Sequence, residues 1–509
     1  MKSKGIKWGA VFSYVLILVN TLYGLFFTPY LIATIGRGQY GVYKIVYSLC
    51  ASITVLDMGI GGTVLRYISK YNAEKDRKGM SNFAAMSMVL TSLLTALILA
   101  VCTVFYFCID GIYGAKLTAE ELVKAKELFL LFMGLTALHM FEKVFYSIIS
   151  GCEHFMVSNG VRLLRMIINV LLYFVLLRVV PDATILLVID LFTIVATLIF
   201  QYCYIRFRIG LKIHLYRWDM TLFKQTSVYT VLAFVQSIAV QLNGNIDNLV
   251  IGAEIGSNMV AIYSIGVQMF SMYEHFATAF SDLMLPHVSK QIAAGASKKE
   301  LEDTVIRVGR LQFMLLGGAL CGYLIIGKEF ITKLWMKSPD YDLAWTVGAI
   351  LMVIVTFPLV QNVCLSILRA ENKIGFRAAA VSAMAVFNLI LTVVGVRFFG
   401  PMAACIGTAL GLVGANIIAM NIYYIKVIRL NIFRIFGNVF SRTWLCCLLA
   451  SAALFAADRF IGGSWTMWLC KVGIFCAVYF VLLLLFGFRE SEKRLLFGKF
   501  ARKRSKTTA

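Results

Sequence analysis

The sequence predicts an all-α polytopic membrane protein of about 14 transmembrane helices. Two pseudo-symmetric six-helix lobes are expected to form a V-shaped cleft, with two further helices at the C-terminal end. Three features predict this: apolar runs of spanning length, basic charge that alternates between successive loops, and an internal repeat at one offset.

A bilayer core about 30 Å thick takes roughly 20 helical residues at 1.5 Å each. Runs of that size fall at 9–33, 40–65, 83–109, 127–150, 161–180, 183–205, 227–251, 259–285, 308–332, 343–367, 378–398, 402–425, 443–461 and 465–487. The 509 residues are 60% hydrophobic and only 15% charged, and the mean hydropathy is +0.83. Soluble chains carry about 25% charge. Loops between the runs do not exceed about 25 residues. They leave no space for a separate soluble catalytic domain, so an enzyme is not expected.

The net charge of +22 invites a nucleic-acid reading, which its placement opposes. With the N-terminus in the cytoplasm, about three-quarters of the 48 Lys and Arg fall on inner segments. The positive-inside rule then puts both termini in the cytoplasm and independently asks for an even number of spans. The basic excess is topological, with a secondary role in holding anionic lipid headgroups. Membrane lipids are expected partners and nucleic acid is not. Lys2 to Lys7 before an apolar run resembles a signal peptide, but the run is too long and no small-x-small site follows. An uncleaved first span is expected.

The 12 Cys lie mostly inside spans, with no paired or metal-like spacing. They read as small core hydrophobes, and no metal or cofactor is expected. No Gly-rich nucleotide-binding loop occurs. Gly318 with Gly322, and Gly407 with Gly411, read as small-x3-small packing faces. Gly36 and Gly41 are expected to flank a tight outer turn.

Sliding the chain by 220 residues superposes Ile35-Gly36, Tyr43 and Ser69-Lys70 on Ile255-Gly256, Tyr263 and Ser289-Lys290. Six spans separate the copies, so both keep one orientation and form a parallel repeat. The expected division is a first lobe at 1–226, a second at 227–442, two added helices at 443–488 and a basic cytoplasmic tail at 489–509.

The run Thr28-Pro29-Tyr30-Leu31-Ile32-Ala33-Thr34-Ile35-Gly36-Arg37-Gly38-Gln39-Tyr40-Gly41-Val42-Tyr43 is followed by Leu56-Asp57-Met58-Gly59-Ile60-Gly61 and Arg66-Tyr67. In the second copy stand Asp247-Asn248-Leu249-Val250-Ile251-Gly252 and Ala261-Ile262-Tyr263-Ser264. Together they resemble the bacterial polysaccharide-biosynthesis flippases, the Wzx-type translocases of the multidrug/oligosaccharidyl-lipid/polysaccharide exporter superfamily. The resemblance implies alternating-access transport of an undecaprenyl-pyrophosphate-linked oligosaccharide from the inner to the outer leaflet of a bacterial cell membrane. It also implies a role in surface polysaccharide assembly, with a polysaccharide polymerase as a candidate partner. Two relatives stay open, a cation-coupled drug exporter and a flippase for the peptidoglycan lipid precursor. A membrane glycosyltransferase would need acids on a sizeable loop, and 110–126, with Asp110, Glu120 and Glu121, is short.

Ionisable groups inside spans cost about 2.5–3.5 kcal/mol each, which singles them out. The resemblance places the cleft against the first two spans of each lobe. These contribute Asn20, Lys44 and Asp57, with Arg66 at an inner end, then Gln241, Asn243, Asn245 and Asp247, then Glu274 and His275. Asp57, Asp247, Glu274 and His275 are candidates for coupling a proton or sodium ion. The plainer alternative is an interhelical polar contact. Adjacent helix positions diverge by about 100°, so Glu274 and His275 are not expected to pair. His139 and Lys143 share a face of the fourth span at i, i+4, beside Glu142. They read as a cationic wall for pyrophosphate or as an internal ion pair. Arg66, Arg162, Arg165, Arg307, Arg310 and Arg377 lie at inner span ends, three per lobe. Their planar donor forks suit phosphate oxygens, and ordinary headgroup anchoring is the alternative.

Overall fold

The computed structural model describes residues 2–54, 59–218, 220, 244–282, 285–371, 373, 375–458 and 464–489. The side chains of 2–18, 20, 276, 278–282 and 285–287 lie outside that description. All regular structure among these residues is helical. Among the described residues, ten segments are long and apolar enough to cross a membrane. The expected run 227–251 falls mostly outside the described residues.

The chain divides into two compact units. Unit 1 comprises 1–264 with 381–411, and unit 2 comprises 265–380 with 412–509. Unit 1 begins with α1 (Lys2–Ile53), α2 (Ile60–Glu74), α3 (Arg77–Tyr113), α4 (Ala119–Gly151), α5 (Phe155–Val179) and α6 (Ala183–Cys203). It continues with α7, residues 244–254.

Local chemistry sets the boundaries of these helices. Asp76 accepts from the Gly79 amide to start α3. Thr118 and Glu121 form a reciprocal capping box at the start of α4. The Asp182 carboxylate accepts from the Thr184 amide at the head of α6. Burial raises the Asp182 pKa, but hydrogen bonds from Lys124 and the Thr184 amide outweigh it and hold the carboxyl below its ordinary value.

Two expectations are corrected here. The run 40–65 is not one helix, because α1 ends at Ile53 and α2 starts afresh after Gly59, whose φ of 68° is left-handed. Gly36 breaks α1 with φ 81°, as a turn requires, but Gly41 lies within helix. A Cβ on Gly41 would come 1.9 Å from the Ser257 carbonyl oxygen, so its role is close helix packing. The outer faces are lipid-like: Phe192 on α6 is 72% exposed, which suits a hydrocarbon surround.

The next helix, α8 (Ser257–Asp282), starts in unit 1 and continues into unit 2. There follow α9 (Leu285–Ala293), α10 (Lys298–Glu329), α11 (Asp342–Val360), α12 (Val363–Ala370), α13 (Gly375–Phe399) and α14 (Pro401–Leu412). Beyond Leu412 the helix continues through π-helical turns to Ile428. The chain ends in α15 (Ile432–Phe440), α16 (Thr443–Asp458) and α17 (Trp465–Leu482).

In unit 2, α10 is the axis. Val305, Phe313, Val360, Ile435 and Leu483 share one buried core. Gly318 and Gly322 let the Tyr479 and Phe475 rings of α17 approach, as the small-x3-small spacing predicts. The expected run 343–367 is interrupted at Gln361 and Asn362, between α11 and α12. Pro358 lies one turn before that break, where its missing amide weakens the helix.

Candidate functional site

A cavity of about 700 Å³ opens within unit 1. Helical spacing explains who lines it. On α4, His139, Lys143 and Tyr146 fall at i, i+4 and i+7. On α5, Arg162, Arg165, Asn169 and Tyr173 fall at i, i+3, i+7 and i+11, and all seven reach the cavity. Asp190 and Thr197 come from α6, and Tyr23 and Tyr43 from α1. Gly61 of α2 also lines it and lets α2 pack close to α4, where a Cβ would meet Ser147 Oγ at 3.3 Å.

Two kinds of surface result. One is cationic: Lys143, Arg162 and Arg165. The Arg162 guanidinium lies 5.2 Å from the Tyr146 ring centre. Arg165 Nε donates to Thr193 Oγ1 at 3.4 Å. Nearby, Gln201 Nε2 donates to Glu142 Oε1 at 3.3 Å. The other surface is a hydrogen-bonding patch. Asp190 Oδ1 accepts from Asn169 Nδ2 at 2.6 Å and from the Tyr173 hydroxyl at 2.7 Å. Asn169 Oδ1 is buried and has no partner among the described residues. Such a wall offers donors to an anion and both donors and acceptors to hydroxyl groups.

A second constellation in unit 1 surrounds Asp247, which is 6% exposed. Its carboxylate accepts from the Tyr263 hydroxyl at 2.5 Å, Thr408 Oγ1 at 2.8 Å and Thr392 Oγ1 at 3.4 Å. Asn388 Nδ2 in turn donates to Thr408 Oγ1 at 3.1 Å. Among the described residues no Lys or Arg pairs with Asp247. A buried carboxylate served only by hydroxyls is short of positive charge.

A family model described as polysaccharide biosynthesis protein matches residues 7–291. The chain belongs to that family. No curated protein matches the sequence. Among solved structures, the lipid II flippase MurJ in an inward closed conformation is similar, with a TM-score of 0.73 at 15% identity, covering 96% of this chain and 99% of that one. An inward-facing multidrug resistance MATE family transporter of the MOP superfamily gives a TM-score of 0.62 at 15% identity, covering 81% of this chain and 95% of that one. A MOP superfamily transporter from Pyrococcus furiosus gives 0.56 at 15% identity, over 86% and 96%. These likenesses establish the fold of a multi-pass membrane protein of the polysaccharide biosynthesis family.

The remaining sequence candidates scatter. Lys44 sits 5.4 Å from the Tyr40 ring centre and 5.9 Å from that of Tyr47, off the cavity wall. Arg66 and Arg307 are exposed, and Asn245 is half-buried on α7. Arg310 is 1% exposed and donates to the carbonyls of Asn438, Ser441 and Gly487 at 3.1, 3.3 and 2.7 Å. Its fork bolts α10 to the ends of α15 and α17 and does not face either cavity. Glu274 and Arg377 line a separate cavity of about 300 Å³ in unit 2, while His275 is exposed and outside that lining. All of Asp57, Gln241 and Asn243, and the side chain of Asn20, lie outside the described residues.

Sequence reasoning missed Asp190, Tyr173, Tyr43 and Arg369, while Tyr23 of the first span was expected at a cleft and lines the unit 1 cavity. Asp190 carried a signal, being the one acidic or basic residue in the run 183–203. Tyr173 continues the helical stripe that starts at Arg162.

Proposed function

We propose that this polysaccharide biosynthesis family member is a flippase. It carries an undecaprenyl-pyrophosphate-linked oligosaccharide from the inner to the outer leaflet of a bacterial cell membrane. The transporting body is a 14-span chain with both termini cytoplasmic and six-helix lobes at 1–226 and 227–442 that alternate in access. It works beside a polysaccharide polymerase without catalysing bond formation itself.

The unit 1 cavity supports the reading most. Lys143, Arg162 and Arg165 give the pyrophosphate three cationic donors. Tyr23, Tyr43, Tyr146 and Tyr173 give sugar rings flat walls, and Asn169 and Asp190 meet their hydroxyls. A drug cation would find that wall repulsive. Asp247 supports ion coupling: a proton or sodium ion entering among Tyr263, Thr392 and Thr408 would neutralise it.

The deciding experiment replaces Lys143, Arg162 and Arg165 with Ala, singly and together, in cells lacking the native copy. The triple variant is expected to accumulate in the membrane normally yet export no surface glycan, with lipid-linked intermediate retained inside. Full glycan export by the triple variant rules this reading out.

A further inference from the structure

A basic cavity lies at the end of α6, apart from the groups assigned to transport. Past Cys203 the helix runs through a π-helical turn, Tyr204–Ile209, to Gly210, whose φ of 72° is left-handed. The Leu211 amide donates to the Ile205 carbonyl at 3.1 Å and closes the helix end. The chain then doubles back across the head of α3 as a strap of irregular backbone. Arg77 donates to the Ile209 carbonyl at 2.8 Å. Ser81 Oγ donates to the Lys212 carbonyl and accepts from the His214 amide at 3.2 Å. Asn82 Oδ1 accepts from the Tyr216 and Arg217 amides at 2.8 and 2.9 Å. These bonds fix the course of the strap against α3.

The strap, α3, α4 and the end of α6 enclose a cavity of about 480 Å³, within the range of ligand sites. Its lining is of two kinds. Met88, Phe145, Tyr202 and Ile213 present carbon, while Arg206, Lys212 and His214 present nitrogen, and none of the lining residues is acidic. Among the described residues no carboxylate pairs with Arg206 or Lys212. The cavity also adjoins the apolar outer surface. Val188, Phe192, Val195, Ile199 and Tyr202 are exposed at steps of four and three along α6, one helical stripe that ends in the cavity wall. On α3, Val89, Leu93 and Leu97 are exposed at steps of four, starting beside Met88 of the lining. Hydrocarbon covers such stripes in a bilayer.

An occupant must bring negative charge to Arg206 and Lys212 and hydrocarbon to the two stripes. A free phosphate supplies no hydrocarbon. A zwitterionic lipid sets its ammonium among basic groups with no acid to receive it. An anionic glycerophospholipid meets both demands. We infer that the cavity beneath this strap is a binding site for the headgroup of an anionic glycerophospholipid. The phosphodiester lies on Arg206 and Lys212, headgroup hydroxyls meet His214 and Tyr216, and the acyl chains follow the exposed faces of α3 and α6. The inference goes beyond the transport reading and stands without it, because the two unit 1 cavities share no lining residue.

The test titrates the full chain in neutral detergent with phosphatidylglycerol, phosphatidylcholine and phosphatidylethanolamine, and counts bound lipid by native mass spectrometry. Phosphatidylglycerol is expected to bind at least about tenfold tighter than the other two. Arg206→Gln and Lys212→Gln are each expected to weaken it by about fivefold, the worth of one basic residue at a lipid surface. Lys426→Gln, at the exposed end of the π-helical turn Tyr424–Ile428 in unit 2, is the control and is expected to leave binding unchanged. Where Arg206→Gln fails to run as a single monodisperse species, Lys212→Glu, at an exposed position, replaces it and is expected to weaken binding more than Lys212→Gln. Equal affinity for the three lipids, unchanged binding in the strap variants, or an equal loss in Lys426→Gln overturns the inference. Displacement of phosphatidylglycerol by equimolar undecaprenyl phosphate gives the site to a polyprenyl lipid and overturns it too.

Discussion

Asn169 and Asp190 meet across the α5–α6 contact, the amide nitrogen 2.6 Å from the carboxylate oxygen. The pair, joined by the Tyr173 hydroxyl at 2.7 Å, forms the acceptor edge of the unit 1 cavity. Replacing Asp190 with Asn is expected to turn one acceptor into a donor facing Asn169 and Tyr173. Glycan export should fall by about tenfold or more at normal protein level, since an unmatched buried polar group costs about 1–3 kcal/mol. Surface glycan quantified against membrane abundance checks this, and wild-type export would remove Asp190 from the site.

Asp247→Asn keeps an acceptor for Tyr263 and Thr408 while removing the charge. Export is expected to drop sharply and to lose its response to ionophores that collapse proton or sodium gradients. A variant that exports normally, with the ionophore response intact, would remove Asp247 from ion coupling.

Lys471 is 1% exposed and pairs with Glu329 and Asp458, each at 2.7 Å, tying α17 to the ends of α10 and α16. Lys471→Met takes the ion-pair partner from Asp458 and leaves Glu329 only Lys333, at 3.5 Å. It is expected to destabilise the protein by about 3 kcal/mol, read as a lowered melting temperature in detergent. The double variant Lys471→Met with Glu329→Gln should recover part of that loss.

Gly41→Ala drives a methyl against the Ser257 carbonyl. Overpacking of that kind costs about 1–3 kcal/mol, so the yield of monodisperse protein should fall. Gly62, which has open space around it, is the control and should accept Ala.

Acid should loosen two loop contacts. Burial raises the Glu371 pKa, but hydrogen bonds from Lys298 and Lys373 outweigh it and hold the carboxyl below its ordinary value. Asp182 is held down likewise. A depressed native pKa means the stabilisation is present above the unfolded-state value, about 4, and is lost as pH falls through the native one. Thermal stability is therefore expected to be flat from pH 7 to 5 and to fall below about pH 4. Glu371→Gln with Asp182→Asn should flatten that fall.

Arg162 and Arg310 show how far the sequence reached. Both are arginines that the sequence expectation put at inner span ends, and nothing in their neighbours' identities separates them. One lines a cavity beside Tyr146, and the other is spent on three backbone carbonyls. Likewise the stripe from Arg162 to Tyr173 was legible by period, but its use was not, because Asp190 had to arrive from another helix.

What the sequence determined was what hydrocarbon imposes locally, helices of spanning length. Membership of the polysaccharide biosynthesis family followed from the same residues. Only tertiary structure decided which polar groups face each other. The rotation of a span about its own axis is set by packing against neighbours, and a break such as that at Gln361 redirects side chains that periodicity would have placed elsewhere.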